Sequence, residues 1–238
     1  MNLPTLPTAS ALCPPAFSAP QWRPGQVGAR HTEIFANGRE ASGAAAALAL
    51  ALDSLGEGLG DRSFLWVQDK ASLRVSGRPF RHGLAVNLRQ RLIHVLAPKP
   101  EDALFALEEG LRCRDLGFVI GEIAGNSRAL DFTASRRLSL AAEKHGVPLF
   151  LVRIDAERDL SSARMRWQVR GAASPPPRWN PTAPGFPTWH AELFRARTNA
   201  PGEWILTHDG HELVAQPATS ARDGDLAPAA GDRSLAAF

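Results

Sequence analysis

The sequence has no tyrosine, only two cysteines and only three lysines among its 238 residues. Cys13 and Cys113 are far apart, and neither has partners at disulfide or metal-ligand spacing, which argues against a disulfide scaffold and a zinc site. No apolar run approaches the roughly 18 to 20 residues that a membrane-spanning helix needs. The first residues also lack a basic segment followed by a continuous apolar one, so we expect a soluble, cytoplasmic protein.

Arginine is abundant where lysine is scarce. The chain has 24 arginines and a formal net charge of +3. An arginine-rich chain could contact nucleic acid. However, a chain rich in alanine, arginine, glycine and proline together is also what a GC-rich genome encodes, and the six tryptophans do not interleave with basic residues as a base-stacking surface would require. Composition alone therefore leaves both explanations open.

Hydrophobic residues make up 44% of the chain, which suits one principal folded domain. Residues 1–30 contain five prolines before Gln21 and little periodicity, so they are predicted to be a flexible proline-rich leader. Residues 31–215 are predicted to form the domain, and residues 216–238 a disordered tail.

Short apolar runs alternate with helical patterns through the middle of the chain, which is typical of β-α-β units and a mainly parallel sheet flanked by helices. Strands that are buried on both faces are predicted at residues 64–68, 92–97, 118–123 and 149–154. Helices are predicted at residues 41–55, from Pro100, and from a cap at Asp131 to a stop at Gly146. Residues 164–170, 193–197 and 203–207 are predicted to be antiparallel strands that extend the C-terminal edge of the sheet.

A degenerate phosphate-binding loop precedes the first helix. Residues 38–45 read GREASGAA, so Gly38 and Gly43 have the spacing of a P-loop. Ala44 and Ala45 replace the lysine that contacts the phosphates and the hydroxyl that holds magnesium, so ATP turnover is expected to be absent or very slow. Arg39 and Ser42 could still contact an anion. An ordinary glycine-bordered loop at the start of an alanine-rich helix is the alternative.

Two acidic residues lie at the ends of apolar strands, where a nucleotide site would have them. Glu122 has the position of the aspartate that holds magnesium through water, and Asp69 could match the acidic residue that activates water. A carboxylate at the end of a buried strand is also common without any such role.

The densest basic stretch is residues 74–91, which could be a solvated loop or a contact surface for nucleic acid or an acidic protein. The predicted contact residues are Arg74, Arg78, Arg81, Arg89 and Arg91. No nucleophilic triad pattern occurs, and His208 and His211 are interpreted as a surface pair without a third ligand. We therefore expect no enzyme activity, no cofactor and no metal.

The chain resembles the ImuA family, the RecA-like accessory proteins of bacterial translesion-synthesis mutasomes, over about residues 30–210. The resemblance is carried by the degenerate loop and by the segments FLWVQD, LIHVLAPKPEDALFALEEGLRC, FVIGEI, LDFTASRRLSLAAEKHGVPLFLVR and RMRWQVRGAASPPP. It implies a RecA-like α/β fold and a role in DNA damage tolerance during the SOS response. The implied partners are ImuB, an error-prone DnaE-type polymerase and RecA.

The hypothesis that follows is a non-catalytic adaptor. Two alternatives stay open: a weak nucleotide-binding ATPase or sensor that uses Arg39 and Glu122, and a direct single-stranded DNA-binding protein that uses the basic stretch. A division inhibitor of the SulA type would share only distant RecA-like similarity.

Overall fold

The structure is a computed structural model that describes residues 24, 30–40, 42–177, 180, 182–209 and 212–218. The predicted proline-rich leader and disordered tail lie almost wholly outside these residues, as does Ala41 at the start of the first predicted helix. Within the described residues, no helix combines the length and the apolar character needed to traverse a lipid bilayer.

Four α-helices and nine strands occur in the described residues. The helices are α1 (Ser42–Leu55), α2 (Lys70–Ser76), α3 (Pro100–Arg112) and α4 (Phe132–His145). The strands are β1 (His31–Ala36), β2 (Ser63–Asp69), β3 (Leu92–Ala97), β4 (Leu116–Ala124), β5 (Leu149–Ile154), β6 (Met165–Gly171), β7 (Thr188–Ala196), β8 (Gly202–His208) and β9 (Leu213–Pro217).

The strands form one sheet in the order β3-β2-β4-β5-β1-β6-β7-β8-β9. Strands β1 to β6 are parallel, and β7, β8 and β9 add antiparallel to β6. This confirms the prediction of an α/β fold with a mainly parallel sheet and antiparallel strands at its C-terminal edge. Helix α1 packs on one face, and α3 and α4 pack on the other, so the parallel strands are covered from both sides.

The capping residues of α4 behave as predicted. Asp131 accepts a hydrogen bond from the amide of Ala134 at 2.7 Å, and Gly146 ends the helix with a left-handed φ of 75°. In α3, Leu104, Leu107 and Leu111 are buried against the sheet, in agreement with their helical spacing. These elements could be predicted because both signals are local in the sequence.

Two predictions about strands are wrong in part. Strand β3 is not buried on both faces, because it is the outermost strand and leaves Ile93 and Leu96 exposed. Strand β6 is antiparallel to β7 but parallel to β1. Its alternating sequence reflects a buried apolar face with Trp167 and Val169 and a polar opposite face, rather than an antiparallel partner on both sides.

The sequence patterns missed α2, β9 and the strand character of β1. Strand β9 runs to Pro217, two residues past the predicted end of the domain at 215. Strand β1 reads HTEIFA, which is half polar, yet all six residues are buried. The reason is a set of polar contacts around His31 and Glu33, described below.

Candidate functional site

The degenerate loop lies where a phosphate-binding loop would lie, between the carboxyl end of β1 and the start of α1. Its turn is closed within the loop: the amide of Glu40 donates to the carbonyl of Asn37 at 3.1 Å, and the amide of Arg39 donates to Asn37 Oδ1 at 2.8 Å. Two backbone amides that could have faced a phosphate are therefore already satisfied by Asn37.

Asp155 occupies the position in front of Gly38. The amide of Gly38 donates to Asp155 Oδ1 at 2.8 Å, and a Cβ on Gly38 would lie 2.5 Å from Asp155 Oδ2 and 2.5 Å from Val75 Cγ1. Asp155 is held there by its own amide, which donates to the carbonyl of Ala36, and by a left-handed φ of 49°. A carboxylate of the chain thus binds the amide that a P-loop would offer to phosphate.

Gly43 has a packing role. A Cβ at this position would lie 2.6 Å from the Cβ of Ala36 and 2.9 Å from Val152 Cγ1. The first turn of α1 therefore lies directly on β1 and β5, at a distance that only glycine allows. The glycine pair that suggested a P-loop is explained at both positions by close approach of protein atoms.

Of the two predicted anion contacts in the loop, Arg39 is exposed and Ser42 is buried. Ser42 Oγ donates to Glu40 Oε2 at 3.3 Å, and the same carboxylate oxygen accepts the amide of Gly171 at 2.7 Å. Glu40 thus ties the loop to the end of β6 and places a negative charge beside the start of α1, which disfavours an anion there.

The structure brings the degenerate loop and Glu122 together. Gly38, Gly43 and Glu122 line the same cavity, because the ends of parallel strands meet at one edge of the sheet. The cavity has a volume of about 10 Å³, which is room for one water molecule. It cannot hold a nucleotide without rearrangement.

Glu122 is instead the centre of a buried polar network. Its Oε1 accepts from Trp66 Nε1 at 2.6 Å and from Gln68 Nε2 at 3.1 Å, and its Oε2 accepts from Ser76 Oγ at 2.7 Å. His94 continues the network through Gln68 Oε1 at 2.9 Å. Burial raises the pKa of Glu122 above its ordinary value, and the three donors oppose that shift.

Asp69 caps the short helix α2. Its Oδ1 accepts the amide of Ser72 at 2.7 Å, and its side chain is buried. Its Oδ2 has no hydrogen-bond partner among the described residues. The two carboxylates expected to serve a nucleotide, Glu122 and Asp69, therefore both have structural contacts at this edge of the sheet.

The basic stretch does not form one surface of free guanidinium groups. Arg81 and Arg89 donate to carbonyls within the stretch, Arg89 O and Leu84 O, and Arg91 pairs with Asp61 at 3.0 Å. Arg74 lies apart, beside Asp69 in a cleft of about 400 Å³, and Arg78 is exposed. Of the histidine pair, His208 is in β8 and His211 lies outside the described residues.

A second polar cluster, which the sequence did not reveal, lies on the α4 side of β1, β5 and β6. Glu33 is fully buried and accepts from Arg166 Nε at 2.8 Å and from Ser161 Oγ at 2.6 Å. Arg153 is also buried, 4.0 Å from Glu33 and 3.3 Å from Asp159. The two buried guanidinium groups are thus balanced by the buried Glu33 and by Asp159, whose side chain is about two fifths exposed.

Aromatic rings stack against this cluster. The guanidinium carbons of Arg153 and Arg166 lie 5.5 and 5.1 Å from the ring centre of Phe35, and that of Arg166 lies 5.4 Å from Phe194. One signal in the sequence could have indicated this cluster: Glu33 and Phe35 alternate on one face of β1, and Arg166 lies on β6. Their pairing required knowledge that β1 and β6 are neighbours.

His31 extends the cluster through hydroxyl groups. Its Nδ1 is 2.7 Å from Ser139 Oγ, and Ser139 Oγ is 2.6 Å from Ser162 Oγ. Burial lowers the pKa of His31 to about 4. The ring is therefore neutral at pH 7.

This shift predicts an acid-sensitive stability. Because the pKa of His31 is lowered on folding, its contribution is complete above the ordinary value of 6.5 and is lost as the pH falls toward about 4. The shift corresponds to about 3 kcal/mol of unfolding free energy. We expect urea unfolding of the native chain to show this loss relative to His31→Gln, with the exposed His82→Gln as control. Equal pH dependence of the native chain and His31→Gln would contradict the assignment.

Comparison with known proteins adds an independent line of evidence. No family model matches the chain. Proteins from two strains of Caulobacter vibrioides, each named Protein ImuA, are 34% identical over 208 residues, which cover 79% of this chain and 80% of the relative. At this identity and coverage, the chain belongs to the ImuA family.

Proposed function

We propose that this chain is a non-catalytic adaptor with a RecA-like fold in mutagenic translesion DNA synthesis associated with the SOS response. In this proposal it acts beside ImuB and an error-prone DnaE-type polymerase, and it modulates RecA. Membership of the ImuA family supports the setting. The contact between Gly38 and Asp155 supports the absence of catalysis, because it engages a backbone amide that a P-loop would offer to phosphate.

A RecA-like fold is supported by the order of parts along the sheet. The degenerate loop follows β1, and the two acidic residues, Asp69 and Glu122, end or nearly end β2 and β4 at the same edge. That is the edge at which open α/β sheets bind ligands. A domain that keeps this outline while its loop is closed suits a protein that presents a surface rather than one that turns over ATP.

The test combines calorimetry of the full chain with ATP and magnesium and a pull-down with purified RecA and ImuB. We expect no heat of nucleotide binding and retention of at least one of the two proteins. Magnesium-dependent affinity for ATP would instead favour the nucleotide sensor. Retention of neither protein would remove the adaptor proposal.

The closed loop makes a further prediction about the lost side chains. Ala44→Lys with Ala45→Thr restores the residue types of a P-loop, yet we expect this variant not to bind ATP, because Asp155 still binds the amide of Gly38. Calorimetry at ATP concentrations up to about 1 mM would detect a gain of the order of 4 kcal/mol in binding free energy. The same variant with Asp155→Ala is the matched comparison. If Ala44→Lys with Ala45→Thr bound ATP while Asp155 was still present, Asp155 would not be the residue that closes the loop.

A further inference from the structure

A groove runs along the outer side of α4. It has a volume of about 540 Å³ and lies between α4, the segment 161–164 and the end of β7. Helices α3 and α4 cover β1 to β5 on this side, and the described residues place no further helix across β7 and β8. The groove is therefore bordered by one helix face and an uncovered part of the sheet.

The groove is strongly positive. It is lined by four arginines, Arg136, Arg164, Arg195 and Arg197, and by one acidic residue, Glu143. Glu143 is already paired with Arg164 at 2.6 Å. The other three arginines are exposed, and their side chains have no ion-pair or hydrogen-bond partner within the described part of the chain. Three guanidinium groups are thus available to an anionic ligand.

Apolar side chains flank these charges along α4. Phe132 is 48% exposed and Leu140 is 52% exposed, and Arg136 lies between them at a spacing of four residues. Residues four apart lie on the same helix face, so the groove offers apolar, cationic and apolar contacts in succession. Apolar surface that is rimmed by polar residues is a feature of protein interaction sites.

The floor of the groove is fixed before any ligand binds. Ser139 on α4 is bonded to Ser162, and Ser135 is 2.9 Å from Ser161 and accepts the amide of Ser162 at 3.0 Å. These hydroxyl contacts join the helix to the facing segment. A groove that keeps its shape in the free protein loses less entropy when a partner binds.

We propose that this groove binds an acidic segment of a partner protein in which bulky apolar residues alternate with carboxylates. The three free arginines would pair with the carboxylates of this segment. Phe132 and Leu140 would contact its apolar side chains. Single-stranded nucleic acid fits less well, because base stacking needs aromatic rings, and Phe132 is the one aromatic residue among those that line the groove. The inference rests on the proposed adaptor function and names the chemistry of its partner.

The experiment uses the full chain and random peptides of about 12 residues displayed on phage. We expect the selected peptides to be enriched in Asp or Glu beside Leu, Ile or Phe. Synthetic copies are then measured by fluorescence anisotropy against Arg136→Glu with Arg195→Glu, and against the control Arg114→Glu with Arg128→Glu, whose positions are exposed and outside the groove. Both double variants change the formal net charge from +3 to −1, because each substitution removes two charges.

We expect the groove variant to weaken peptide binding at least about tenfold and the control variant less than about twofold. Leu140→Ser is expected to weaken it as well. Selected peptides without acidic enrichment, or equal losses in the two double variants, would overturn the inference. So would a labelled oligothymidylate that binds more tightly than the peptides and is lost in the same groove variant.

The outcome separates this inference from the adaptor proposal. If native protein retains RecA or ImuB and the groove variant retains them equally well, the groove is not the docking surface while the adaptor function stands. If native protein retains neither but binds acidic peptides through the groove, the docking chemistry stands and the proposed function fails.

Discussion

Glu122→Ala is expected to lower the free energy of unfolding by about 2–4 kcal/mol, because it leaves the buried Trp66 Nε1 without an acceptor and a cavity beside it. Gln68 and Ser76 each lose one contact but keep the carbonyls of Gly77 and Ser72 as acceptors. Chemical denaturation at pH 7 measures the loss. The matched control is Glu109→Ala on α3, whose carboxylate makes an exposed ion pair with Arg112. It should cost less than about 1 kcal/mol. Similar losses in the two variants would show that the network contributes little.

Glu122→Gln separates the hydrogen bonds from the charge. The amide keeps an acceptor for Trp66 and Gln68 and removes the cost of burying a carboxylate. Because burial raises the pKa of Glu122 above 4.5, the contribution of this group is complete below 4.5 and is lost as the pH rises through the raised value. We therefore expect Glu122→Gln to be less sensitive to that rise than the native chain. If Glu122 instead held magnesium for a nucleotide, Glu122→Gln would abolish a magnesium-dependent ATP affinity that the native chain possesses.

Arg166→Met is expected to destabilise the domain by a comparable amount, about 3–5 kcal/mol, because Glu33 would remain buried with its closest cationic partner removed. Adding Glu33→Gln to Arg166→Met removes the unpaired charge as well, so the double variant should recover a large part of that loss. Urea unfolding of the two single variants and the double variant gives the coupling energy.

An exposed pair on the same side of the sheet provides the control for this cycle. Arg158 and Glu192 lie 2.9 Å apart with both side chains about two fifths exposed. Arg158→Met should therefore cost no more than about 1 kcal/mol. If the Glu33 and Arg166 variants were simply additive, the cluster would not act as a paired unit.

The sequence predicted the parts of the fold that depend on local signals. Neighbouring residues in the sequence are enough to predict the cap at Asp131, the stop at Gly146 and the apolar strands β2, β4 and β5. Strand β1 could not be recognised in the same way, because His31 and Glu33 are buried by partners more than 100 residues away. Its polar residues are stabilised by contacts that no local pattern contains.

The structure brings the residues of the candidate site together, but the sequence did not predict their contacts. Glu122 lies beside the degenerate loop, because the ends of parallel strands meet at one edge of the sheet. The hydrogen bonds that Trp66 and Ser76 donate to Glu122 depend on the register between strands and on the helix that follows β2. The bond between the Gly38 amide and Asp155 depends on the loops that follow β1 and β5. The groove along α4 was missed for a similar reason, since its arginines come from α4, from the segment 161–164 and from the end of β7 and the residue after it.

The contact between Gly38 and Asp155 has a consequence for how the proposed adaptor would respond to the cell's energy supply. A loop that is ordered by a bound triphosphate gains stability in proportion to the logarithm of ligand concentration, and it loosens when that concentration falls. Here the anion is the carboxylate of Asp155, which belongs to the same polypeptide, so each loop has one such anion at all times. If the chain binds no nucleotide, as we propose, the shape of the surface around the loop should be the same whether the triphosphate pool is full or depleted.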